Sequence, residues 1–552
     1  MKELFALTLL LIFCLCINAQ TPDWTWVKSA VGSEMDGGTD NFVDANGNVY
    51  VTGCFRSDSI TFETTTLTNA GFWDIFVVKY NATGNLIWAK SAGGTKDDMG
   101  LSISVDASGN VYVTGHYRSP FINFGTITLT STGYPNIFVT KYDSSGNVIW
   151  AKSVGGTHGD KGLSISADTS GNVFVTGQYS GPSITFGTTT LTNAGTPFTY
   201  DIFVVKYDSF GNVLWAKSLG GTKDDLGNGI STDAGGNVYV TGQFKSPSIN
   251  FGTTILTCQN NYNFFIAKYD ANGNAIWAKS EGGTALDFGL SISNDSVGNV
   301  YVIGTFSSDS ITFGTNTLTN TDTNYSESFV VKYNTSGNVI WAKSAGGTSH
   351  DYGGDISTDP YGNVYTTGSF CSVSIIFDTI TLTNANIINT DIFVVKYDSS
   401  GNVIWAKSIG GTDWDDYGGI STDASGNVFV TGQYSSPSIN FGTASLTNTG
   451  DDDFFIAKLG SNVGMVAETN FVYVMNIFPN PFSYSTTIDA DIFLKNARIN
   501  VYNIQGQVVK QLTGISGKTI TLFRDNLHCG LYFIRLIENN NVIASEKFVI
   551  SD

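Results

Sequence analysis

One unit recurs seven times in this 552-residue chain, and that recurrence constrains the fold more than any other feature. A Trp-x-Lys-Ser string begins at Trp26, Trp88, Trp150, Trp215, Trp277, Trp341 and Trp405, with copies 62 to 65 residues apart. Gly-Asn-Val followed by an aromatic residue begins at Gly47, Gly109, Gly171, Gly236, Gly298, Gly362 and Gly426, at the same intervals. A Phe-[Val/Ile]-x-Lys run ends at Lys79, Lys141, Lys206, Lys268, Lys332, Lys396 and Lys458. Three markers in one order, each present seven times, define a repeat array.

Each unit reads as β structure. Runs such as Asp74 to Tyr80, Leu86 to Trp88 and Val49 to Thr52 are rich in β-branched and aromatic residues. Between them lie Asp-x-Ser-Gly-Asn strings, such as Asp106 to Asn110 and Asp143 to Asn147. There Asp opens a type I turn and Gly takes the left-handed position. Calcium could use such loops, but the further carboxylates and distal Glu of calcium loops are missing. Four strands per unit in seven units predict a β-propeller. Its blades run from an inner strand A (Asp-x-Gly-x-x-Ile-Ser) through B (Asn-Val-Tyr-Val-Thr-Gly) and C (Phe-Val-Val-Lys-Tyr) to an outer strand D (Val-Ile-Trp-Ala-Lys). The array starts with an unpaired D-type strand, Trp24 to Ser29, and ends with an unpaired C-type strand, Asp453 to Leu459. Pairing the two completes the seventh blade and removes a free sheet edge.

Composition bounds the function. Lys+Arg number 28 against 47 Asp+Glu, a net charge of −19, which disfavours nucleic acid. Lys2, the apolar stretch Leu4 to Ile17 and Asn18-Ala19-Gln20 read as a signal peptide, residues 1–19. No apolar run is long enough for a membrane-spanning helix. Outside the signal, Cys54, Cys258, Cys371 and Cys529 occupy unmatched places in the array and form neither a disulfide framework nor a metal pattern.

The strings Gly93-Gly-Thr-Lys-Asp-Asp98 and Ile103 to Gly115 resemble the SBBP-type β-propeller repeat over roughly residues 24–460. That resemblance implies a bacterial extracytoplasmic propeller, generally without an assigned activity. Asp143 to Trp150 is similar to the tryptophan-docking motif of quinoprotein propellers, which locks neighbouring blades and implies no quinone site.

After Leu459 the repeat stops. Residues 461–470 read as a linker and 471–552 as a small β-sandwich of short alternating strands. This segment resembles the type A sorting domain of type IX secretion. The resemblance rests on the opening Asn476-Ile-Phe-Pro479-Asn480-Pro481, the central run through Gly506, the Gly530-Leu-Tyr532-Phe ending, and the final strand from Lys547. It implies recognition by the type IX machinery in the periplasm and delivery outside a Gram-negative cell, released or surface-attached. The expected fold is thus all-β, a seven-bladed propeller over residues 20–460 closed by its N-terminal strand, with a small C-terminal β-sandwich.

Candidate sites fall on the face shared by the D-to-A and B-to-C loops. An Asp recurs at the start of strand A, at Asp36, Asp98, Asp160, Asp225, Asp287, Asp351 and Asp416. Such a ring is either a set of turn-forming acceptors or a weak cation site, Ca2+ included. The B-to-C connections read as the least repetitive segments and carry aromatics before strand C: Trp73, Tyr134, Tyr200, Tyr262 and Tyr325. Trp414 stands in a D-to-A loop. With Asn, Thr and Ser around them, these six suit a saccharide or a surface protein. Mature histidines His116, His158, His350 and His528 assemble with no Ser/His/Asp, Cys/His or zinc spacing. The strongest departures from the repeat, His116-Tyr117-Arg118 and Cys54-Phe55-Arg56, read as drift between copies. The expected function is a non-enzymatic binding, adhesion or scaffold module; a polysaccharide lyase or hydrolase is the alternative.

Overall fold

The structure is a computed structural model that describes residues 21–131, 134–196, 198–258, 261–386, 389–460, 475–503, 508–538 and 541–551. The expected signal peptide (1–19), the expected linker (461–470) and Gly506 lie outside the described residues. The chain divides into two compact units, Met1–Asn462 and Val463–Asp552.

Seven four-stranded antiparallel sheets make the first unit a seven-bladed β-propeller. Blade 1 runs Asp36–Val43, Val49–Phe55, Asp74–Tyr80, Leu86–Ala92 from strand A to strand D. The seventh is completed by Trp24–Ser29, which pairs antiparallel with Asp453–Leu459, Val27 opposite Ala457 and Ser29 opposite Phe455. A backbone bond from Gly460 N to Asp23 O (3.0 Å) fastens the seam.

Strands B and C of blade 1 are buried at every position instead of alternating. The reason is that each blade packs both faces against neighbours. Seven separate apolar cores result, one at each interface between blades. At six interfaces the strand D indole donates to a carbonyl in the C–D turn of the next blade, as Trp88 Nε1 does to Ser144 O (3.2 Å). The turn glycine there must be bare. A Cβ on Gly146, whose φ is +80°, would stand 2.9 Å from Trp88 Cδ2. At the seventh interface the two chain ends replace that turn.

Each B-to-C connection contains a two-stranded hairpin of its own, such as Ser59–Phe62 with Thr65–Thr68. The expectation that these connections are the least repetitive segments is therefore corrected. The pattern Ser-Ile-x-Phe … Leu-Thr recurs because Ile60, Phe62 and Leu67 and their equivalents are buried, Leu446 alone only partly. Variation is confined to the few residues between hairpin and strand C.

In the second unit, five strands (Met475–Phe478, Ser485–Tyr502, Val508–Phe523, Gly530–Glu538, Asn541–Ile550) form one antiparallel sheet. The expected sandwich is hydrogen-bonded into this single sheet through the long strand Ser485–Tyr502, which shifts register between Asp489 and Ala497. Both halves of that strand feed one core with Met475, Phe482, Leu522, Tyr532 and Phe548. Asn480 ties the opening loop to the last strand, accepting from Val549 N (2.8 Å) and donating to Lys547 O (3.1 Å). Thr486 Oγ1 donates to Pro479 O (2.7 Å).

Candidate functional site

The Asp at the start of strand A is fully buried and saturated with donors. Asp98 accepts from Ser119 Oγ (2.7 Å), Ser119 N (3.1 Å) and Arg118 N (3.0 Å). Its own N donates to Trp73 O of the preceding blade (2.8 Å), so the residue pins a turn to its neighbour. In blade 7 this role belongs to Asp415, which accepts from Ser436 Oγ (2.7 Å), and not to Asp416. The assignment of Asp416 is corrected. Side chains alternate along a strand, and Asp415 alone keeps the interval of five residues to the buried Ile420 that Asp98 keeps to Ile103. Tyr417, which sits where blades 1 to 6 have Gly, disguised the register. Burial raises these carboxyls against their hydrogen bonds, to about 6 for Asp36 and about 7 for Asp160, Asp351 and Asp415. The turn aspartates are equally occupied: Asp106 accepts from Ser108 N, Asn110 N, Asn110 Nδ2 and Tyr112 OH (2.8 to 3.0 Å). Among the described residues no group of three or more His, Cys, Asp or Glu side chains is placed to hold a metal ion.

Three of the six candidate aromatics converge. Trp73, Tyr134 and Tyr200 line a cleft of about 540 Å³ across blades 1 to 3, together with Asp97, Met99, His116, Arg118, Pro135, Gly159 and Lys161. Strands A and B build the floor by pairing Met99 with His116 and Lys161 with Gln178. B-to-C loops supply the aromatic walls. Asp97 meets Arg118 in a half-exposed ion pair (3.2 Å). His116 is 6% exposed and its Nδ1 has no hydrogen-bond partner. Burial, then the charges of Lys161 and Arg118, push its imidazole down to about 3, so it is neutral. Burial and then Arg118 also lower the proton affinity of Lys161. Beside the cleft, His158 stacks on Tyr134 (5.9 Å) and meets Phe198 edge-on (5.3 Å).

The other three candidates lie apart. Tyr262 meets Phe288 edge-on (5.8 Å) beneath Lys245. Tyr325 packs against His350 (5.0 Å), which stacks on Tyr352. Trp414 is half exposed. The sequence reading did not single out His116, Arg118 and Lys161, which line this cleft. A signal was there: the second position of strand A reads Gly37, Met99, Lys161, Leu226, Phe288, Tyr352, Asp416, a different residue in every blade. Two members of this variable column, Met99 and Lys161, line the cleft.

Strand A also carries two carboxylates in the central ring, Asp40 and Asp355. Asp40 accepts from Ser102 Oγ (2.8 Å) and Ile103 N (2.9 Å) of blade 2. Asp355 accepts from Ser291 Oγ of blade 5 (2.5 Å) and Ile420 N of blade 7 (2.7 Å). They staple neighbouring inner strands. Burial raises both, and their mutual repulsion adds to the rise at Asp40.

Comparison with known proteins agrees with this division of the chain. Residues 476–551 match the family described as the secretion system C-terminal sorting domain. The matched segment carries the Asn-x-x-Pro-Asn-Pro opening, the Gly530 to Tyr532 strand and Lys547. A WD repeat-containing protein of Acanthamoeba polyphaga mimivirus is 25% identical over 533 residues, covering 78% of this chain and 38% of the relative. The regulatory protein FlaEY of Caulobacter vibrioides is 26% identical over 191 residues, 32% of this chain and 20% of the relative. The chain thus spans well under two thirds of either relative. Among solved structures, PorZ, a surface component of the type IX secretion system of Porphyromonas gingivalis, aligns over 93% of this chain and 81% of its own at 10% identity and TM-score 0.24. A fungal alcohol oxidase in complex with copper aligns over 96% and 100% at 11% identity and TM-score 0.38. Neither likeness, at such scores, bears on function. In the described residues no helix is long and apolar enough to cross a membrane.

Proposed function

We propose that this chain is a secreted SBBP-type propeller that binds a ligand outside the cell without transforming it, as an adhesion or scaffold module. Its sorting domain addresses it to the type IX machinery, which delivers it to the surface or the medium. The observation that carries the binding reading is the cleft across blades 1 to 3. There a rigid repeat presents residues that break the repeat, with aromatic walls and a polar floor. The neutral, nearly enclosed His116 suits a shaped floor better than proton transfer, since a general base works best with a pKa near the working pH.

The test is a binding survey of the intact protein against polysaccharides and surface proteins, with Trp73→Ala and Tyr134→Ala as site variants and product analysis alongside. Saturable binding lost in both variants, with no new chain ends, is the expected result. New reducing ends or new C=C absorbance would replace the module with a hydrolase or a lyase. Binding that ignores both variants would move the site elsewhere.

A further inference from the structure

The cleft holds a charge imbalance that the protein leaves unanswered. Arg118 and Lys161 bring two positive charges, Asp97 one negative charge, and His116 none, so the cleft is net positive in a chain of net charge −19. Arg118 already shares its charge with Asp97. Lys161 makes no ion pair among the described residues, although it is partly buried and faces the repulsion of Arg118. A cation held in that position costs stability and is relieved by an incoming anion. Elsewhere on this face a cation is stabilised differently: Lys245 lies over the Tyr262 ring at 5.1 Å. The walls add the second half of the argument. Tyr134 is 53% exposed and Phe198 78% exposed, and with His158 they form a continuous aromatic rim that no part of the described structure covers.

We propose, resting on the reading of the propeller as a binding module, that this cleft takes an acidic sugar, a pyranose ring carrying one carboxylate. The carboxylate sits between Arg118 and Lys161, and the ring lies against Trp73 and Tyr134. One negative charge matches the single net positive charge of the cleft. A phosphate dianion would set its second charge against Asp97.

Calorimetric titration of the intact protein with oligogalacturonate, with its methyl ester and with a sulfated dextran oligomer tests this. The expected result is binding of the free acid that weakens as salt rises and far exceeds binding of the ester. Loss of a charge-assisted contact raises Kd by roughly tenfold or more, which is the expectation for Arg118→Gln and for Lys161→Met. Lys245→Met on the same face should leave Kd unchanged. Near-ultraviolet circular dichroism shows that each variant is folded, and two separate variants guard against one failing. Equal binding of acid and ester, still lost in Trp73→Ala, would overturn the acidic-sugar assignment and keep the binding module. Preference for the sulfated oligomer would overturn the carboxylate. Silence toward all three, from a protein that captures a peptide or surface protein in the wider survey, would overturn the saccharide and keep the module. Silence in both experiments would overturn both readings.

Discussion

Removing residues 21–30 tests ring closure directly. The deletion strips the outer strand from blade 7 and leaves Asp453–Leu459 with a bare edge. The losses can be read from the structure. Trp26 is tilted against Phe429 (6.1 Å) and Tyr80 (6.5 Å) and donates to Ala82 O (3.3 Å), so it bridges blades 7 and 1. Trp24 meets Phe441 edge-on at 5.1 Å, and Ala30 is fully buried. Trp24 and Trp26 are half-buried, so losing each costs less than the ~3–5 kcal/mol of a fully buried Trp, about 2 kcal/mol. Each aromatic pair adds ~0.5–1.5 kcal/mol. Each ladder hydrogen bond adds about 0.5–1.5 kcal/mol net. The total, on the order of 8 kcal/mol or more, falls within the ~5–15 kcal/mol that separates a folded domain from its unfolded chain. Urea and thermal melts of the intact and shortened proteins, followed by tryptophan fluorescence, are the assay. The shortened protein should be largely unfolded or melt many degrees lower, and a synthetic peptide of residues 21–30 added in excess should restore part of the loss. A change of about 1 kcal/mol corresponds to roughly 2–4 °C in a large domain. A shift no larger than that, with no response to the peptide, would refute closure by this strand.

Further expectations rest on single residues. Gly146→Ala should cost about 1–3 kcal/mol, because the position needs positive φ and lies against Trp88, whereas Gly235→Ala, with no backbone closer than ordinary contact, should be nearly silent in the same melt. Asp225→Asn should destabilise by about 1–3 kcal/mol, since the carboxylate accepts from Ser246 Oγ, Gly221 N and Lys245 N and an amide would turn donors onto donors. Asp201→Asn should be tolerated, because blades 2 and 4 already carry Asn136 and Asn263 at that place. Burial, with a smaller push from the Asp225 charge, raises Asp201 from 3.8 to about 7, so the folded state holds a proton the unfolded chain releases. Its stabilisation is full below about 4 and is lost as pH rises through about 7; melts across that window should slope less in Asp201→Asn than in the parent. Removing residues 476–552 should leave the propeller in the periplasm, and normal appearance of the truncated protein outside the cell would overturn the type IX address.

The fold was legible because its determinants repeat. Trp88 and Gly146 lie in different units, and a propeller brings the strand D indole onto the next unit's turn glycine at six of the seven interfaces. The complementary ends, Trp24 to Ser29 and Asp453 to Leu459, carried closure in plain sight. Two features escaped. The hairpin in each B-to-C connection is only four residues per strand, and its threonines and serines read as loop chemistry, although Ile60, Phe62 and Leu67 are buried beneath them. Blade 7 also hid its register. Asp416-Tyr417-Gly418 imitates the Asp-x-Gly of the other blades, whereas the interval of five to Ile420 and the capture of Ser436 mark Asp415.

The cleft was hard to find for the opposite reason. Repetition makes structural residues conspicuous, so a reading tuned to it treats every departure as noise. His116 and Arg118 departed from the repeat and were set aside as drift. Yet in a ring whose sevenfold regularity already satisfies cores, turns and seams, a departure that is buried, charged or aromatic has no structural duty to perform. Arg56 shows how departures divide: it pairs with Glu34 at 3.0 Å and is answered on the spot. Lys161 makes no ion pair among the described residues, and it brings a second cation to the cleft that Arg118 also lines. What distinguishes site from drift in such an array is therefore not that a residue differs but that its charge or hydrogen-bonding group is left open where the fold has room to close it. By that criterion the cleft of blades 1 to 3, rather than the seven-membered Asp ring, is the place to test first for a ligand.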